Sequence, residues 1–189
     1  MWSEDEIKEY LKKNLKESRY YHSLGVMDTA VSLAKHYGAD AVKARVAGLV
    51  HDCAKNMKGD ALVKLAKENG YSIDVMYEKI PQLLHGIVGA IIAKTLFGIE
   101  DNEVLSAITY HTTGREAMSL LDKIIYIADF IEPSRCFPGI DVIRSSALVD
   151  LDVTLIKCFD ESIKYILSKG QLLHLSTINS RNYVLYDSL

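Results

Sequence analysis

Apolar residues recur three and four positions apart along most of this chain, which is the spacing of one buried face of an α-helix. Typical helix start and stop residues flank these stretches, namely the capping-box pairs Ser3 with Glu6 and Ser119 with Asp122, and the stop residue Gly38. No region repeats the strict two-residue alternation of a half-buried strand, and only 3 of the 189 residues are proline. The pattern predicts an all-α fold.

The same signals predict where individual elements lie. We expect helices from Ser3 to about Lys16, from near His22 to Gly38, from Asp40 to Asp52, from Asp60 to Asn69, from Leu84 to Phe97, through Val104–His111, from Ser119 past Asp129, and through Ile156–Ile166. The segment from Pro133 to Ile140 is predicted to be a loop, and the tail from Leu172 to Leu189 a short helix or an extended arm.

Composition narrows the class of protein. Hydrophobic residues make up 49% and charged residues 25%, as in an ordinary single globular domain. The net charge of −3 argues against a broad nucleic-acid surface, and charged residues interrupt the apolar runs before they could span a bilayer. The first residues are charged rather than apolar, so no signal peptide is expected. Cys53, Cys136 and Cys158 are far apart, which predicts no disulfide scaffold and fits a reducing cytoplasm.

Polar residues in apolar helical runs are the strongest indication of function. His51 and Asp52 end the run Val46–Val50, His111 shares a predicted helix face with Ile108, and Asp129 interrupts an otherwise apolar stretch. Taken singly, each histidine could be a hydrogen-bonded core residue, and Asp129 could pair with a nearby cation. A buried carboxylate is costly unless it is paired or bound to a metal. Together these residues favour a shared cation, and imidazole and carboxylate are ligands that iron, manganese and zinc accept.

Several stretches of the sequence resemble those of a known family. The matching strings are Arg19–Val26 (RYYHSLGV), Gly48–Lys55 (GLVHDCAK), Leu84–Ala90 (LHGIVGA), Tyr110–Gly114 (YHTTG), Ala128–Arg135 (ADFIEPSR), Phe137–Ile140 (FPGI) and Ser180–Tyr183 (SRNY). In this order they resemble the bacterial YqeK family, symmetrical diadenosine tetraphosphate hydrolases of the HD type. The resemblance covers about the whole chain. It implies a single HD-domain helical bundle over residues 1–189, with a metal-site core at about 18–135 and C-terminal helices and a tail at 136–189.

The resemblance also implies a ligand set for two divalent or trivalent metal ions. His22, His51, Asp52 and Asp129 would hold one ion, and His85, His111 and a bridging Asp52 the second. Iron is the metal that the family leads us to expect, although these ligand types also admit manganese, cobalt or zinc. His36 and His174 receive no role, and His36 is interpreted as a residue at a helix end.

Two adjacent metal ions can clamp the attacking and leaving oxygens of a phosphoanhydride, and a water between them loses a proton near neutral pH. We therefore expect a metal-bound hydroxide as the nucleophile, with Asp52, Lys55 and His111 as the catalytic residues. The candidate substrate-binding residues are Lys55, Thr112, Thr113, Arg135 and Arg181, with Arg144 a weaker candidate. For each cation the alternative is a solvated surface charge, and for the threonines an ordinary turn.

The expected function is cleavage of diadenosine tetraphosphate into two ADP molecules by a cytoplasmic enzyme. The expected binding partner is a nucleotide polyphosphate. We expect no binding to nucleic acid or to a membrane, and a homodimer is possible. Three alternatives are an HD phosphohydrolase for a mononucleotide or cyclic dinucleotide, a two-iron oxygenase, and a non-catalytic metal-dependent nucleotide sensor.

Overall fold

A computed structural model describes residues 1–187 as an assembly of helices, with no strand in that part of the chain. Its elements are α1 (Glu4–Asn14), α2 (Glu17–Tyr37), α3 (Ala41–Val50), α4 (Gly59–Glu68), α5 (Val75–Lys79), a 3-10 turn (Pro81–Leu84), α6 (His85–Thr95), α7 (Asn102–Tyr110), α8 (Leu120–Ile131), α9 (Ile140–Ser146), α10 (Leu151–Ser168) and α11 (Leu175–Asp187). The predicted all-α fold is confirmed.

The centre of the bundle is formed by α2, α3, α7 and α8, which pack against one another, while α6 covers α7. Their contact faces carry fully buried aliphatic residues such as Leu49, Ile108 and Ile124. The crossing of α2 and α3 is close, because a Cβ atom on Gly48 would lie 2.8 Å from the Cα atom of Met27. The absence of a side chain at Gly48 therefore brings the middle of α2 next to the end of α3.

The C-terminal helices attach to this centre through aromatic and polar contacts. On α10, Phe159 packs against Tyr126 of α8 with ring centroids 4.6 Å apart. On α11, Ser180 donates a hydrogen bond to the Thr113 carbonyl at 3.3 Å, in the loop that follows α7. Gly114, in the same loop, has φ +68°, and a Cβ atom there would lie 2.7 Å from Phe159 and 2.9 Å from Ser180. The tail is thus held against the centre of the bundle.

Several predicted boundaries differ from the structure. Helix α2 begins at Glu17 rather than near His22. The sequence did not show this start, because Lys16, the residue before the helix, has no capping side chain. The expected helix to Asp52 ends at Val50 and continues as turns, and the expected helix over 84–97 is divided between the 3-10 turn and α6. Sequence reasoning missed α5 and α9, which are too short to show a helical period.

The tail forms a helix, α11, rather than an extended arm, and residues 188 and 189 of that prediction lie outside the described part. Within residues 1–187, no helix combines the length and the apolar character that crossing a lipid bilayer requires.

Candidate metal centre

The structure brings the six predicted metal ligands together in the middle of the bundle. They come from different elements: His22 from α2, His51 and Asp52 from the turn after α3, His85 from the start of α6, His111 from the end of α7 and Asp129 from α8. All are buried except Asp129, whose side chain is 22% exposed. Residues far apart in the sequence therefore share one enclosed polar site.

The ligand atoms form two neighbouring groups. In the first, His22, His51 and Asp129 each offer one atom, and these atoms all lie within 4.8 Å of one another. His22 Nε2 is 2.9 Å from Asp129 Oδ1, and His51 Nε2 is 3.9 Å from the same oxygen. In the second, His85 Nε2 and His111 Nε2 are 3.0 Å apart.

Asp52 lies between the two groups and turns one oxygen towards each. Its Oδ1 atom is 3.2 Å from His85 Nε2 and 3.4 Å from His111 Nε2. Its Oδ2 atom is 3.5 Å from His51 Nε2 and 3.8 Å from His22 Nε2. A single carboxylate is thus positioned to serve both groups.

Three of the four histidines are oriented by backbone carbonyls near a helix end. His51 Nδ1 lies 2.7 Å from the Gly48 carbonyl, His111 Nδ1 2.7 Å from the Ile108 carbonyl, and His85 Nδ1 2.5 Å from the Gln82 carbonyl. The last carbonyls of α3 and α7 have no intrahelical partner, and the Gln82 carbonyl accepts the His85 backbone N–H as well as the ring, as a carbonyl oxygen with two lone pairs can. Because a carbonyl can only accept, each Nδ1 carries a proton, so in the neutral form of each ring Nε2 presents its lone pair to the site.

His22 is oriented differently, because it lies inside α2 and not at a helix end. Its Nδ1 atom donates a hydrogen bond to Glu132 Oε1 at 2.9 Å. Glu132 is only 1% exposed, and its carboxylate also accepts hydrogen bonds from the backbone N–H and the hydroxyl of Ser134. Sequence reasoning missed Glu132, although it follows Asp129 by three residues, a spacing that places both on one face of a helix.

The site has the properties of a cation-binding centre. His22 Nε2, His51 Nε2 and Asp52 Oδ1 are buried and make no hydrogen bond. Nitrogen lone pairs and carboxylate oxygens converge there, and a cation between them would give these buried atoms the partner that they lack. Burial lowers the pKa of His85 to about 4, which keeps it in the neutral form that a metal ion requires.

The two aspartates are held as carboxylates. Burial alone would raise the pKa of Asp52, but the neighbouring His51, His111 and His85 lower it well below its usual range. Burial also opposes ionisation of Asp129, and the pKa of that group is lowered by His22 and Arg135. Both groups can therefore act as anionic ligands at neutral pH.

Three cations surround the ligands. Arg19 Nη1 lies 2.8 Å from Asp52 Oδ2, Arg135 Nη2 lies 2.5 Å from Asp129 Oδ1, and Lys55 Nζ lies 3.0 Å from His85 Nε2. Lys55 and Arg135 were predicted site residues. Arg19 was not, although it precedes His22 by one turn of α2. All three are placed to meet an anion that enters the site.

The other predicted substrate-binding residues lie at different distances from the ligands. Thr112 Oγ1 is 3.0 Å from His85 Nε2 and 3.1 Å from His111 Nε2, inside the site. Thr113 is buried, and its hydroxyl donates to the Gly114 carbonyl. Arg181 pairs with Asp160 at 2.9 Å and donates a further hydrogen bond to Asn182, and neither partner is a predicted metal ligand. The role of Arg181 in substrate binding stays a prediction.

The remaining candidates lie outside the ligand set. Arg144 donates to the carbonyls of Ile131, Glu132 and Arg135, so it braces the loop after α8. His174 packs against Tyr77 with ring centroids 4.9 Å apart. Neither contacts a predicted ligand.

A helical bundle that gathers four histidines and two aspartates into one buried group, with cations around them, has the residue types and burial of an all-α metal-dependent enzyme. Comparison with known proteins gives the family: the HD domain matches residues 19–133. This chain belongs to the HD domain family.

Individual relatives cover nearly the whole chain. A protein of Halalkalibacterium halodurans named "Bis(5'-nucleosyl)-tetraphosphatase, symmetrical" is 42% identical over 94% of each chain. A protein of the same name from Bacillus subtilis is 37% identical over 94% of this chain and 95% of its own. A solved structure of a predicted HD superfamily hydrolase involved in NAD metabolism, from Clostridium acetobutylicum, is 52% identical, has a TM-score of 0.97 and covers 99% of both chains.

Proposed function

We propose that this chain hydrolyses diadenosine tetraphosphate symmetrically, giving two molecules of ADP, at a centre that holds two metal ions. The observation that carries the proposal is the position of Asp52, with Oδ1 beside His85 and His111 and Oδ2 beside His22 and His51. A carboxylate shared between two ligand groups is what a two-metal site requires. The names of the relatives support the choice of substrate.

The proposed ligands of the first ion are His22, His51, Asp52 and Asp129, and those of the second are Asp52, His85 and His111. Iron is the proposed metal, and the mixture of imidazole and carboxylate is compatible with it. When bound, such a pair of ions supplies charge stabilisation to the phosphates and an activated water molecule. Asp52 and His111 are proposed as catalytic residues because they would hold the ions that act on the reacting phosphate.

The cations around the site are proposed to bind and orient the phosphate chain. With Asp52 and Asp129 engaged as ligands, the guanidinium groups of Arg19 and Arg135 become available for phosphate oxygens, which they can bind in pairs. A cavity of about 330 Å³ opens between these two arginines and is bordered by His22 and Ser134. It is large enough to hold part of a nucleotide.

On the other side of the site, Lys55 and Thr112 point at His85. We propose that Lys55 neutralises the charge that develops on the leaving phosphate, and that the Thr112 hydroxyl donates a hydrogen bond to a phosphate oxygen. Thr113 and Arg181 are proposed to contribute to substrate binding from outside the group of metal ligands. The protein is proposed to act in the cytoplasm, without nucleic acid, as a monomer or a homodimer.

The test is a product analysis. Purified protein loaded with Fe²⁺ or Mn²⁺ is incubated with diadenosine tetraphosphate, and the nucleotides are separated by ion-exchange chromatography. We expect ADP as the sole product, two molecules for each substrate molecule. Equal amounts of ATP and AMP, or no turnover with any of these metals, would falsify the proposal.

Parallel incubations separate the alternatives. Faster phosphate release from a mononucleotide, or faster cleavage of a cyclic dinucleotide, would favour a different phosphohydrolase. Oxygen consumption without phosphate chemistry would favour an oxygenase. Tight nucleotide binding without turnover would favour a sensor.

A further inference from the structure

We propose that Glu132 is a positioning residue that fixes His22 as its Nδ1–H tautomer and thereby makes the first ligand group the tighter of the two metal sites. The inference rests on the proposed metal centre. Glu132 is not itself a predicted metal ligand. Its carboxylate accepts hydrogen bonds from the predicted ligand His22 and from Ser134.

The contacts of Glu132 leave its carboxylate one orientation. Its Oε2 atom accepts the backbone N–H of Ser134 at 2.7 Å, and its Oε1 atom accepts the Ser134 hydroxyl and the Nδ1–H of His22. Arg135 adds a positive charge, with Nε 3.9 Å from Oε1. A buried carboxylate with several donors around it is held both in place and in its charged form.

Gly25 supplies a second and independent observation. It lies inside α2, three residues after His22, where glycine costs about 1 kcal/mol relative to alanine in helix stability. A Cβ atom at this position would lie 2.7 Å from Glu132 Oε2 and 3.4 Å from its Cδ atom. The absence of a side chain therefore leaves the space that the carboxylate occupies against His22.

The other three histidines have neutral acceptors behind them, the carbonyls of Gly48, Ile108 and Gln82. A charged acceptor makes a stronger hydrogen bond than a neutral one and raises the basicity of the opposite ring nitrogen. His22 Nε2 should therefore be the strongest nitrogen donor of the site. It belongs to the first group, so this group should fill before the second.

The experiment compares Glu132→Gln with the wild type, first without metal. Nitrogen NMR of the imidazole rings should show His22 as the Nδ1–H tautomer in the wild type and a mixture of tautomers in Glu132→Gln, because the amide can donate as well as accept. Calorimetric titration with Mn²⁺ follows. We expect the tighter binding step to weaken about 10- to 100-fold, the effect typical of a lost outer partner of a ligand, while the weaker step is unchanged.

Two further variants keep the result interpretable. Gly25→Ala leaves the carboxylate in the chain but displaces it, so it should weaken the same step, and combining it with Glu132→Gln should add less than the sum of the two effects. Glu103→Gln removes an exposed carboxylate that pairs with Lys43 away from the site and should change neither step.

The possible failures are distinguishable. If the wild type binds no metal, the proposed function fails, while the tautomer measurement still tests Glu132. If Glu132→Gln keeps a pure Nδ1–H His22 and an unchanged first binding step, the role proposed for Glu132 is wrong. Should Glu132→Gln fail to fold, an unchanged first step in Gly25→Ala would overturn the proposal.

Discussion

The two sides of the metal centre hold their histidines by different means. On the carboxylate-supported side, His22 lies inside α2 and is held by the side chain of Glu132. On the carbonyl-supported side, His51, His85 and His111 stand next to helix ends and are held by the main chain. Main-chain support comes with the fold itself, whereas side-chain support depends on a few residues that a substitution can remove.

The two sides also differ in how far their side chains are exposed to solvent. The carboxylate-supported side borders the cavity between Arg19 and Arg135, and Asp129 there is partly exposed. The carbonyl-supported side is more enclosed, with His85 and His111 each about 1% exposed in their side chains. One side thus opens onto a cavity and the other is buried.

Asp52 belongs to both sides, so its replacement should have the largest effect. Asp52→Asn keeps the shape but removes the anionic charge, and we expect loss of bound metal together with a fall in turnover of at least about 10²- to 10³-fold, the range for losing one group that stabilises transition-state charge. Metal analysis and initial rates measure it. Asp28→Asn, an exposed aspartate on α2, is the matched control. Retention of both metal ions in Asp52→Asn would contradict a shared carboxylate.

Between about pH 6.5 and pH 4, acid should weaken the metal-free protein through His85 on the carbonyl-supported side. Burial lowers the pKa of His85 from 6.5 to about 4, so between these values the folded state binds fewer protons than the unfolded state. The stabilisation is complete above about pH 6.5 and is lost as the pH falls towards about 4, by up to about 3 kcal/mol. Denaturant unfolding in chelator at several pH values measures the slope.

The control for this slope is a pair of histidine variants. His85→Ala should flatten the dependence of stability on pH, and His36→Ala, at an exposed position, should keep it. An unchanged slope in His85→Ala would mean that another group binds the proton.

Replacing one histidine on each side compares the two kinds of support directly. His22→Ala leaves the buried Glu132 carboxylate without one of its donors, whereas the acceptor behind His111 that His111→Ala leaves free is the neutral Ile108 carbonyl. Both side chains are buried, so the cavity costs are similar. We expect metal-free His22→Ala to be less stable by about 1–3 kcal/mol, the cost of an unsatisfied buried group. Equal stability in urea unfolding would remove the distinction between the two sides.

Thr112 should show the smallest effect. Its hydroxyl lies at the edge of the carbonyl-supported side, and Thr112→Val removes one hydrogen-bonding group without changing the shape. We expect kcat/KM to fall about 3- to 10-fold, as for the loss of one neutral hydrogen bond. Thr95→Val is the control, because that hydroxyl bonds only within α6, to the Ile91 carbonyl. A loss confined to the control would contradict the role of Thr112.

Helical spacing predicted the fold, and burial predicted part of the candidate ligand set, whereas His22 and His85 were predicted from the family resemblance. A histidine or aspartate in an apolar helical run, such as His51 or Asp129, stands out because burying it needs a partner. Glu132 did not stand out, because its burial depends on the gap left by Gly25 on another helix. Arg19 looked like an ordinary charge near a helix start, and only the folded chain places it against Asp52.

The close fit of α11 against Gly114 has a practical consequence for work with this protein. Ser180 and Phe159 fill the space where a side chain at Gly114 would stand, and Thr112 lies two residues before that contact. Removing part of α11 would therefore loosen a loop at the edge of the candidate metal centre.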